Sequence, residues 1–251
     1  MSHVRFRFAL CPLALALLSL HAHAAETVAK TDEALQLGAT NISAQGPGAV
    51  TEDTHSYTTG ATSSATGLPL SIRETPQSVT VITRQQMDDR GVQSVGDALR
   101  NTPGISTQKY DSDRTEFSAR GFAITNFQYD GVNIPYDGVY GENPNNGDDA
   151  ASIDRVEVIK GATGLMTGNG DPSATVNLIR KKPTKEFKAS ISGTVGSWDA
   201  YRTVGDISGS LTDSGNVRGR FVGAYSDKNS YLDHYSQKKD LFYGILEADL
   251  T

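Results

Sequence analysis

The sequence is poor in cysteine, in long apolar runs and in positive charge. Cys11 is the only cysteine among 251 residues, which excludes a disulfide within the chain and a zinc site built from thiolates. Lys and Arg total 23 against 29 Asp and Glu, and the resulting net charge of −6 disfavours nucleic acid as a partner. The negative mean hydropathy of the sequence is compatible with the strands of a membrane β-barrel, because such strands alternate lipid-facing and lumen-facing residues.

The first residues have the pattern of an export signal. Two arginines precede an apolar run from Ala9 to Leu20, and the small residues of Ala22-His23-Ala24 follow as a signal peptidase site requires. The run is shorter than the roughly 20 apolar residues of a membrane-spanning helix. We therefore predict a signal peptide over residues 1–24, whose removal also takes away Cys11.

Residues 25–69 are rich in Thr, Ser, Ala and Gly and carry few large apolar side chains. Such a composition cannot bury enough surface to fold by itself, which predicts a flexible arm. Within the arm, apolar and polar residues alternate over residues 35–44 (LQLGATNISA). An extended segment of this kind can add a strand to the sheet of another protein, although a plain linker is the alternative from the residues alone.

Residues 70–184 have the pattern of a compact α+β domain. Ser94 with Asp97, and Thr83 with Gln86, have the spacing of a capping box, and Pro103-Gly104 ends the second helix. The predicted elements are strands over residues 73–83, 155–160 and 176–179 and short helices that begin after Thr83 and Ser94.

From residue 185 onward, apolar and polar residues alternate with a period of two. Four predicted strands have about the length of a tilted strand that crosses a bilayer. They cover residues 187–195, 201–211, 217–225 and 241–250, with a long polar loop over residues 226–240. Trp198, Tyr201 and Tyr225 fall near strand ends, as in an aromatic girdle. The export signal and the strand length favour a membrane barrel over the alternative, a soluble antiparallel sheet.

Five ordered motifs carry a resemblance to a known family. They are RETPQSVTVIT (73–83), DALRNTPGI (97–105), SARGF (118–122), FQYDGV (127–132) and DRVEVIKGATGLMTGNGDPSATVNLIRKKPT (154–184). Together they resemble the plug of TonB-dependent outer-membrane siderophore receptors of the ferric pyoverdine and ferric coprogen class. The resemblance implies an α+β plug domain over residues 70–184. The first four antiparallel strands of a transmembrane β-barrel of roughly 22 strands follow it over residues 185–251.

The resemblance also implies a function and partners. A receptor of this class in the cell outer membrane imports a ferric siderophore, with the iron carried in its chelate and no cofactor or resident metal. The TonB energy-transducing complex would pull on a TonB box in the arm, which we place at Leu35, Gln36, Leu37, Gly38 and Ala39. Outer-membrane lipid is the expected surrounding, and a monomeric barrel is the expected full-length state. A receptor of the same build for another cargo, or a binding or adhesion protein without transport, is the alternative.

The resemblance suggests two sets of site residues. Candidate siderophore contacts are Arg114, Tyr136, Tyr140 and Gly141. The Arg114 guanidinium could donate two hydrogen bonds to oxygens of the chelate, but an ion pair with Asp111 or Asp113 is an equally good interpretation. Structural or gating roles in the plug are expected for Arg73, Arg120, Arg155, Glu157, Gly161 and Gly164.

The residues do not favour an enzyme. The five histidines are scattered, and the glycine-rich run after Gly161 lacks the Lys-Ser/Thr ending of a phosphate-binding loop. Four carboxylates could suggest a secreted glycosidase, but no buried partner is evident for them: Asp111, Asp113, Asp149 and Asp154. We therefore expect no enzymatic activity and no metal site.

Two departures from the family pattern lead to further expectations. Many receptors of the pyoverdine class carry a signalling domain of ~80 residues before the plug. Only residues 25–69 separate the predicted signal peptide from the plug, so we expect a transporter without a transcription-signalling branch. A closed barrel also needs at least roughly 300 residues beyond the plug. Four strands cannot close, so we expect a fragment or the product of a truncated gene.

Overall fold

The computed structural model describes residues 50–112, 114–134, 148–161 and 172–249. No helix in these ranges is long and apolar enough to cross a membrane. The elements are β1 (Ser78–Ile82), α1 (Arg84–Asp89), α2 (Val95–Arg100), β2 (Ser106–Lys109), β3 (Thr115–Ala119), β4 (Phe122–Ala123), β5 (Asn126–Tyr129), β6 (Val132–Ile134), a 3-10 helix (Ala150–Ser152), β7 (Ile153–Lys160), β8 (Ala174–Arg180), β9 (Lys188–Gly196), β10 (Ala200–Ser210), β11 (Val217–Asn229) and β12 (Ser236–Ala248).

In the described ranges, the plug has two sheets and two short α-helices. Its larger sheet has the strand order β1-β7-β8-β5-β6, in which only β5 and β8 pair in parallel. Its smaller sheet has the order β2-β3-β4. Two tight hairpin turns with positive φ angles, Arg120-Gly121 and Asp130-Gly131, join β3 to β4 and β5 to β6. The main apolar core of the plug includes Met87, Val95, Leu99, Phe117, Ile124, Phe127 and Leu178.

Both helices begin at the predicted caps. The Ser94 hydroxyl accepts a hydrogen bond from the Asp97 amide and the Asp97 carboxylate accepts one from the Ser94 amide, which completes a capping box. The Thr83 hydroxyl accepts from the Gln86 amide, but the Gln86 side chain does not complete a box there. The caps thus fix where α1 and α2 begin beside the larger sheet.

Strands β9 to β12 form an antiparallel sheet in the order β12-β11-β10-β9. The face that contacts the plug, called the inner face here, carries Arg220, Val222 and Ala224, all of which are buried. The opposite, outer face exposes large apolar side chains that include Ile191, Val195, Phe221, Phe242 and Leu246. The Tyr201 and Tyr225 rings lie 6.0 Å apart on the outer face, near the turn that contains Trp198. An apolar outer face and a polar inner face are what a lipid-facing barrel wall requires.

The structure differs from several sequence-based boundaries. The strand expected over residues 73–83 covers only Ser78–Ile82, and Arg73 lies in an exposed turn before it. The loop expected over residues 226–240 shortens to 230–235, because the alternation of β11 and β12 continues through polar residues. Polar residues fit there since the strand backbones pair with each other whatever their side chains.

The expectation of a flexible arm over residues 25–69 is wrong for residues 50–69. Thr51, Thr62, Ser64 and Ala65 are buried. This burial could not be predicted from composition, because the segment has few apolar side chains with which to form a core of its own. It is instead held by hydrogen bonds to carboxylates of the plug. Residues 25–49 lie outside the described residues.

Candidate functional site

The segment of residues 51–64, called the anchor segment here, is attached to β7 through buried carboxylates. The Thr51 amide donates to both carboxylate oxygens of Asp154 at 3.0 Å, and the Glu52 amide donates to the same group at 2.9 Å. The Thr51 hydroxyl lies 3.1 Å from the Asp154 carbonyl oxygen. A carboxylate that accepts several amide hydrogen bonds is a strong attachment point, because each bond is charge-assisted.

A second attachment lies at Glu157, three residues further along β7. The hydroxyls of Thr62 and Ser64 both donate to one oxygen of Glu157, and the Asn177 amide donates to the Ser64 hydroxyl at 2.7 Å. The other Glu157 oxygen accepts from the Arg155 guanidinium at 2.6 Å. Arg155 and Glu157 therefore form an ion pair inside the plug, and their structural or gating role stays a prediction.

The network around β7 has two buried carboxylates and one buried guanidinium. The side chains of Asp154, Arg155 and Glu157 are at most 2% exposed, and Arg155 contacts both acids. Buried charge is costly unless it is paired and hydrogen-bonded, and the anchor segment supplies the hydrogen bonds that one arginine cannot. Removal of the anchor segment would leave this part of the plug with unsatisfied charge.

The anchor segment also contacts the sheet. The Glu52 carboxylate accepts from the Arg220 guanidinium at 2.6 and 2.7 Å, and Arg220 also donates to Asp206 at 2.9 and 2.6 Å. Lys181 lies 2.8 Å from Asp206 and 3.6 Å from Glu52. Burial alone would raise the pKa of Glu52, but the Arg220 hydrogen bonds and the positive charges of Lys181 and Arg220 lower it below its usual value. Glu52 thus joins the anchor segment, the plug and the sheet.

Further polar contacts hold the plug against the inner face. Arg202 of β10 pairs with Asp149 through two hydrogen bonds. The Tyr243 hydroxyl of β12 donates to the Lys181 carbonyl oxygen at 2.8 Å, and the Arg180 guanidinium lies 5.9 Å from the centre of the Tyr243 ring. A small apolar contact joins Ala151 to Val222 and Ala224. Ion pairs and hydrogen bonds therefore make up much of the contact between plug and sheet.

Two other residues of the predicted structural set meet at the end of β7. Gly161 has a φ of +105°, and a Cβ atom built there would lie 2.6 Å from the Arg120 guanidinium. Only glycine fits this position without strain or displacement of the arginine. Burial and the nearby positive charge of Arg120 lower the pKa of Lys160 in the same region. A gating role for these residues stays a prediction, as it does for the exposed Arg73.

The candidate siderophore contacts are only partly described. The Arg114 side chain is 51% exposed, and its guanidinium lies 2.5 Å from the Asp111 carboxylate. The ion pair with Asp111 is thus present, and the exposed remainder of the guanidinium leaves donors for a ligand. The other predicted contacts, Tyr136, Tyr140 and Gly141, lie outside the described residues, as do Gly164 and the TonB box at 35–39. In the described ranges, no group of three or more His, Cys, Asp or Glu could hold a metal ion.

Sequence reasoning missed the residues that join plug and sheet, namely Glu52, Asp149, Arg202, Asp206 and Arg220. A usable signal existed in the sheet, because Arg202, Asp206 and Arg220 occupy the polar phase of strands whose other phase is apolar. Their partners on the plug could not be deduced, since Glu52 and Arg220 are 168 positions apart in the chain.

The comparisons with known proteins agree with this architecture. Residues 71–175 match the model of the TonB-dependent receptor plug domain. The chain therefore belongs to the TonB-dependent receptors, of which it corresponds to an N-terminal part. The predicted fold class, a plug followed by antiparallel barrel strands, is confirmed.

Within this class, the chain is similar to ferripyoverdine receptors. It is 55% identical over 220 residues to the ferripyoverdine receptor of Pseudomonas aeruginosa strain PAO1, a match that covers 88% of the chain. A crystal structure of the P. aeruginosa outer-membrane receptor bound to ferripyoverdine is 56% identical and covers 80% of the chain and 27% of that receptor, with a TM-score of 0.78. A structure of FpvAI with pyocin S2 is 55% identical and covers 82% of the chain and 28% of its own, with a TM-score of 0.80.

The relatives are much longer than this chain. The chain spans 27% of the length of the curated P. aeruginosa relative. The curated P. aeruginosa relative and the protein in the ferripyoverdine-bound crystal structure are both named as receptors rather than enzymes, in agreement with the expectation of no enzymatic activity.

Proposed function

We propose that the chain is part of a TonB-dependent receptor of the outer membrane that imports a ferric siderophore of the pyoverdine class. The observation that carries the proposal is the way the plug is attached. Breakable ion pairs seat it on the polar inner face of a sheet whose outer face is apolar. The 55% identity to a ferripyoverdine receptor supports the substrate class. The iron enters as cargo inside its chelate and is not a cofactor.

The proposed mechanism depends on the anchor segment. The TonB complex binds the arm at residues 35–39 on the periplasmic side and pulls on the chain that continues into Thr51 and Glu52. Each step of withdrawal breaks hydrogen bonds to Asp154 and then to Glu157. Because these carboxylates are buried, loss of their donors destabilises the plug around β7 and gives the pull a route into the domain.

The proposed binding step uses Arg114. Its exposed guanidinium, held by Asp111, can donate to hydroxamate, catecholate or carboxylate oxygens of the chelate. Tyr136, Tyr140 and Gly141 are proposed as further contacts on the extracellular side.

A chimeric receptor tests the proposal. In it, this chain replaces the matching part of the P. aeruginosa ferripyoverdine receptor, and it is expressed in a strain that lacks its own receptor. We expect growth under iron starvation with ferripyoverdine and no growth when residues 35–39 are deleted. Absence of growth with every ferric chelate, from a chimera that reaches the outer membrane, would contradict iron import.

The binding residue is tested in the same chimera. We expect Arg114→Ala to weaken ferripyoverdine binding by about tenfold, as loss of a charge-assisted hydrogen bond does. Arg100→Ala is the matched control, because Arg100 forms a similar exposed ion pair with Asp97 on α2. Equal affinity of the Arg114→Ala receptor and its parent would remove Arg114 from the site.

A second candidate function is that of a bacteriocin receptor. The relative solved with pyocin S2 favours it, since that structure has 55% identity to this chain. Killing of the chimeric strain by pyocin S2 without growth on ferripyoverdine would favour this function over import.

A further inference from the structure

Two polar cavities lie between the plug and the inner face of β9 and β10. The first has a volume of about 550 Å³ and is bounded by α2 and β2 on the plug side, where Asp97 and Lys109 line it. The second has a volume of about 540 Å³ and is bounded by α1 and by the beginning of the anchor segment. Gln93, Thr194 and Arg202 line both cavities, so the two spaces are neighbours along the sheet.

An ion pair lies where the cavities are neighbours, because Arg202 lines both of them and Asp149 lines the first. Arg202 donates to both carboxylate oxygens of Asp149, and the two side chains are 11% and 9% exposed. On the plug side, backbone hydrogen bonds of 3.0 Å from Ala150 to Gln93 and from Val95 to Asp148 close the gap beside the pair. A bidentate ion pair of two side chains can open by rotamer changes without unfolding either strand.

The far wall of the second cavity is the anchor segment itself. Glu52, Asp53 and His55 line it, and Asp53 pairs with Lys188 at the beginning of β9. Withdrawal of the anchor segment therefore removes this wall and opens the second cavity at that end. Such a coupling makes the segment a second barrier in series with the Asp149–Arg202 pair.

Elsewhere in the described contact between plug and sheet, there is less polar space through which a chelate could pass. Next to β11, Val222 is fully buried and packs with Ala224 on Ala151, which fills the space with apolar groups. Along β9, by contrast, the cavity walls carry the hydroxyls of Ser190, Ser192 and Thr194. The lining of the two cavities extends from Ser190 to Gly196, about 20 Å of strand against a hydrocarbon core of about 30 Å.

We propose that the imported chelate passes along the inner face of β9 and β10 through these two cavities, and that the Asp149–Arg202 pair is the gate between them. This inference rests on the proposed import function. It goes beyond the proposed function by naming the path of the chelate and the ion pair that gates this path. The polar lining suits a hydrophilic chelate because hydroxyl, amide and charged groups can replace its water.

Reversible crosslinking of the chimeric receptor tests the gate. Asp149→Cys and Arg202→Cys are combined, joined by a reducible bis-methanethiosulfonate reagent, and then released by reduction. Arg180→Cys with Tyr243→Cys is the matched control, since this pair also joins plug to sheet but lines neither cavity. Ferripyoverdine binding and uptake of its labelled iron are measured before crosslinking, after it and after reduction.

We expect the crosslinked 149/202 receptor to lose uptake and regain it on reduction, while its binding stays within about twofold. The crosslinked control should keep uptake within about twofold. Unchanged uptake by the crosslinked 149/202 receptor would overturn the gate. Equal loss of uptake in both crosslinked receptors would also overturn the gate, because fixing the plug to the sheet at either point would then be enough to stop uptake. Failure of the reduced receptors to bind and import ferripyoverdine would instead count against the proposed function.

Discussion

The plug and the four-stranded sheet bury charge in different ways. In the plug, both faces of β7 are buried, so the charged side chains of Arg155 and Glu157 lie inside the domain. In the sheet, Arg202, Asp206 and Arg220 all lie on the inner face, and the outer face is apolar. The buried charges of the plug pair with each other and accept hydrogen bonds from the anchor segment. Those of the sheet pair with each other, with the anchor segment and with the plug.

The sheet and the plug therefore differ in how readily a pull can disrupt them. The sheet is held by continuous backbone ladders between β9, β10, β11 and β12, which a pull on the arm does not touch. The plug depends on side-chain contacts to a segment that is continuous with the arm. Force applied to the arm would therefore break side-chain contacts of the anchor segment with the plug, and with Arg220 and Lys188 of the sheet, before it acted on the ladders.

The largest expected effect is loss of the buried guanidinium. Arg155→Ala would leave Asp154 and Glu157 buried without a counter-ion, at a cost of about 3–5 kcal/mol. Hydrogen exchange of the β7 amides in the purified chimera, with Arg100→Ala as an exposed control, measures it. If both variants exchange alike, the contrast between plug and sheet loses its main support.

The next largest effect is expected at the link between the two regions. Glu52→Gln should weaken the contact with Arg220 by about 1.5–3 kcal/mol, because charge-assisted hydrogen bonds are lost. Arg220 still pairs with Asp206 in this variant. Amide hydrogen exchange should therefore become faster in residues 51–64 and stay slow in β11. Limited proteolysis of the same segment gives an independent reading, and quickened exchange in β11 would contradict the proposed order of release.

A smaller effect is expected from packing at the end of β7. Gly161→Ala should cost about 1–2 kcal/mol, because the positive φ and the close Arg120 guanidinium disfavour a side chain. Gly193→Ala in β9 is the matched control, since nothing lies within 4 Å of a Cβ atom there. The thermal midpoints of the two purified variants make the comparison, and a lower midpoint for the control would reverse it.

The smallest effect is expected from pH. The folded pKa of Glu52 lies below its ordinary value of 4.5, so its contribution is fully present above that pH and is lost as the pH falls through the lower, folded pKa. Exchange in residues 51–64 should therefore quicken below about pH 4.5 in the parent and depend less on pH in the Glu52→Gln receptor. An equally steep pH dependence in both receptors would assign the effect to other carboxylates.

Some parts of this architecture could be predicted from the sequence because their cause is local. The Ser94–Asp97 capping box fixes where α2 begins, and the period of two places Ile191 and Phe242 on the outer face. The Asp130-Gly131 turn also had a local signal in the motif FQYDGV, but the strands on either side of it were not predicted.

Other parts needed contacts between distant residues. Polar and apolar residues alternate along β7, yet β7 is a central strand of its sheet and the side chains on both of its faces are buried. Thr51 and Ser64 have no local signal, since a hydroxyl in a Thr- and Ser-rich stretch looks like any other until its partner is known. The Arg114–Asp111 pair is one of the two ion pairs that the sequence offered as an alternative to ligand binding, because the two residues are only three positions apart.

Composition and local periodicity were enough to predict the export signal pattern and the apolar face of the strands after residue 185, and the motifs between residues 73 and 184 carried the resemblance to the receptor plug. Tertiary structure alone decided that residues 50–69 belong to the folded plug, that Glu52 meets Arg220, and that Asp149 meets Arg202. The physical reason is that the cost of burying a charge depends on the group that faces it. In this protein, that group comes from a distant part of the chain.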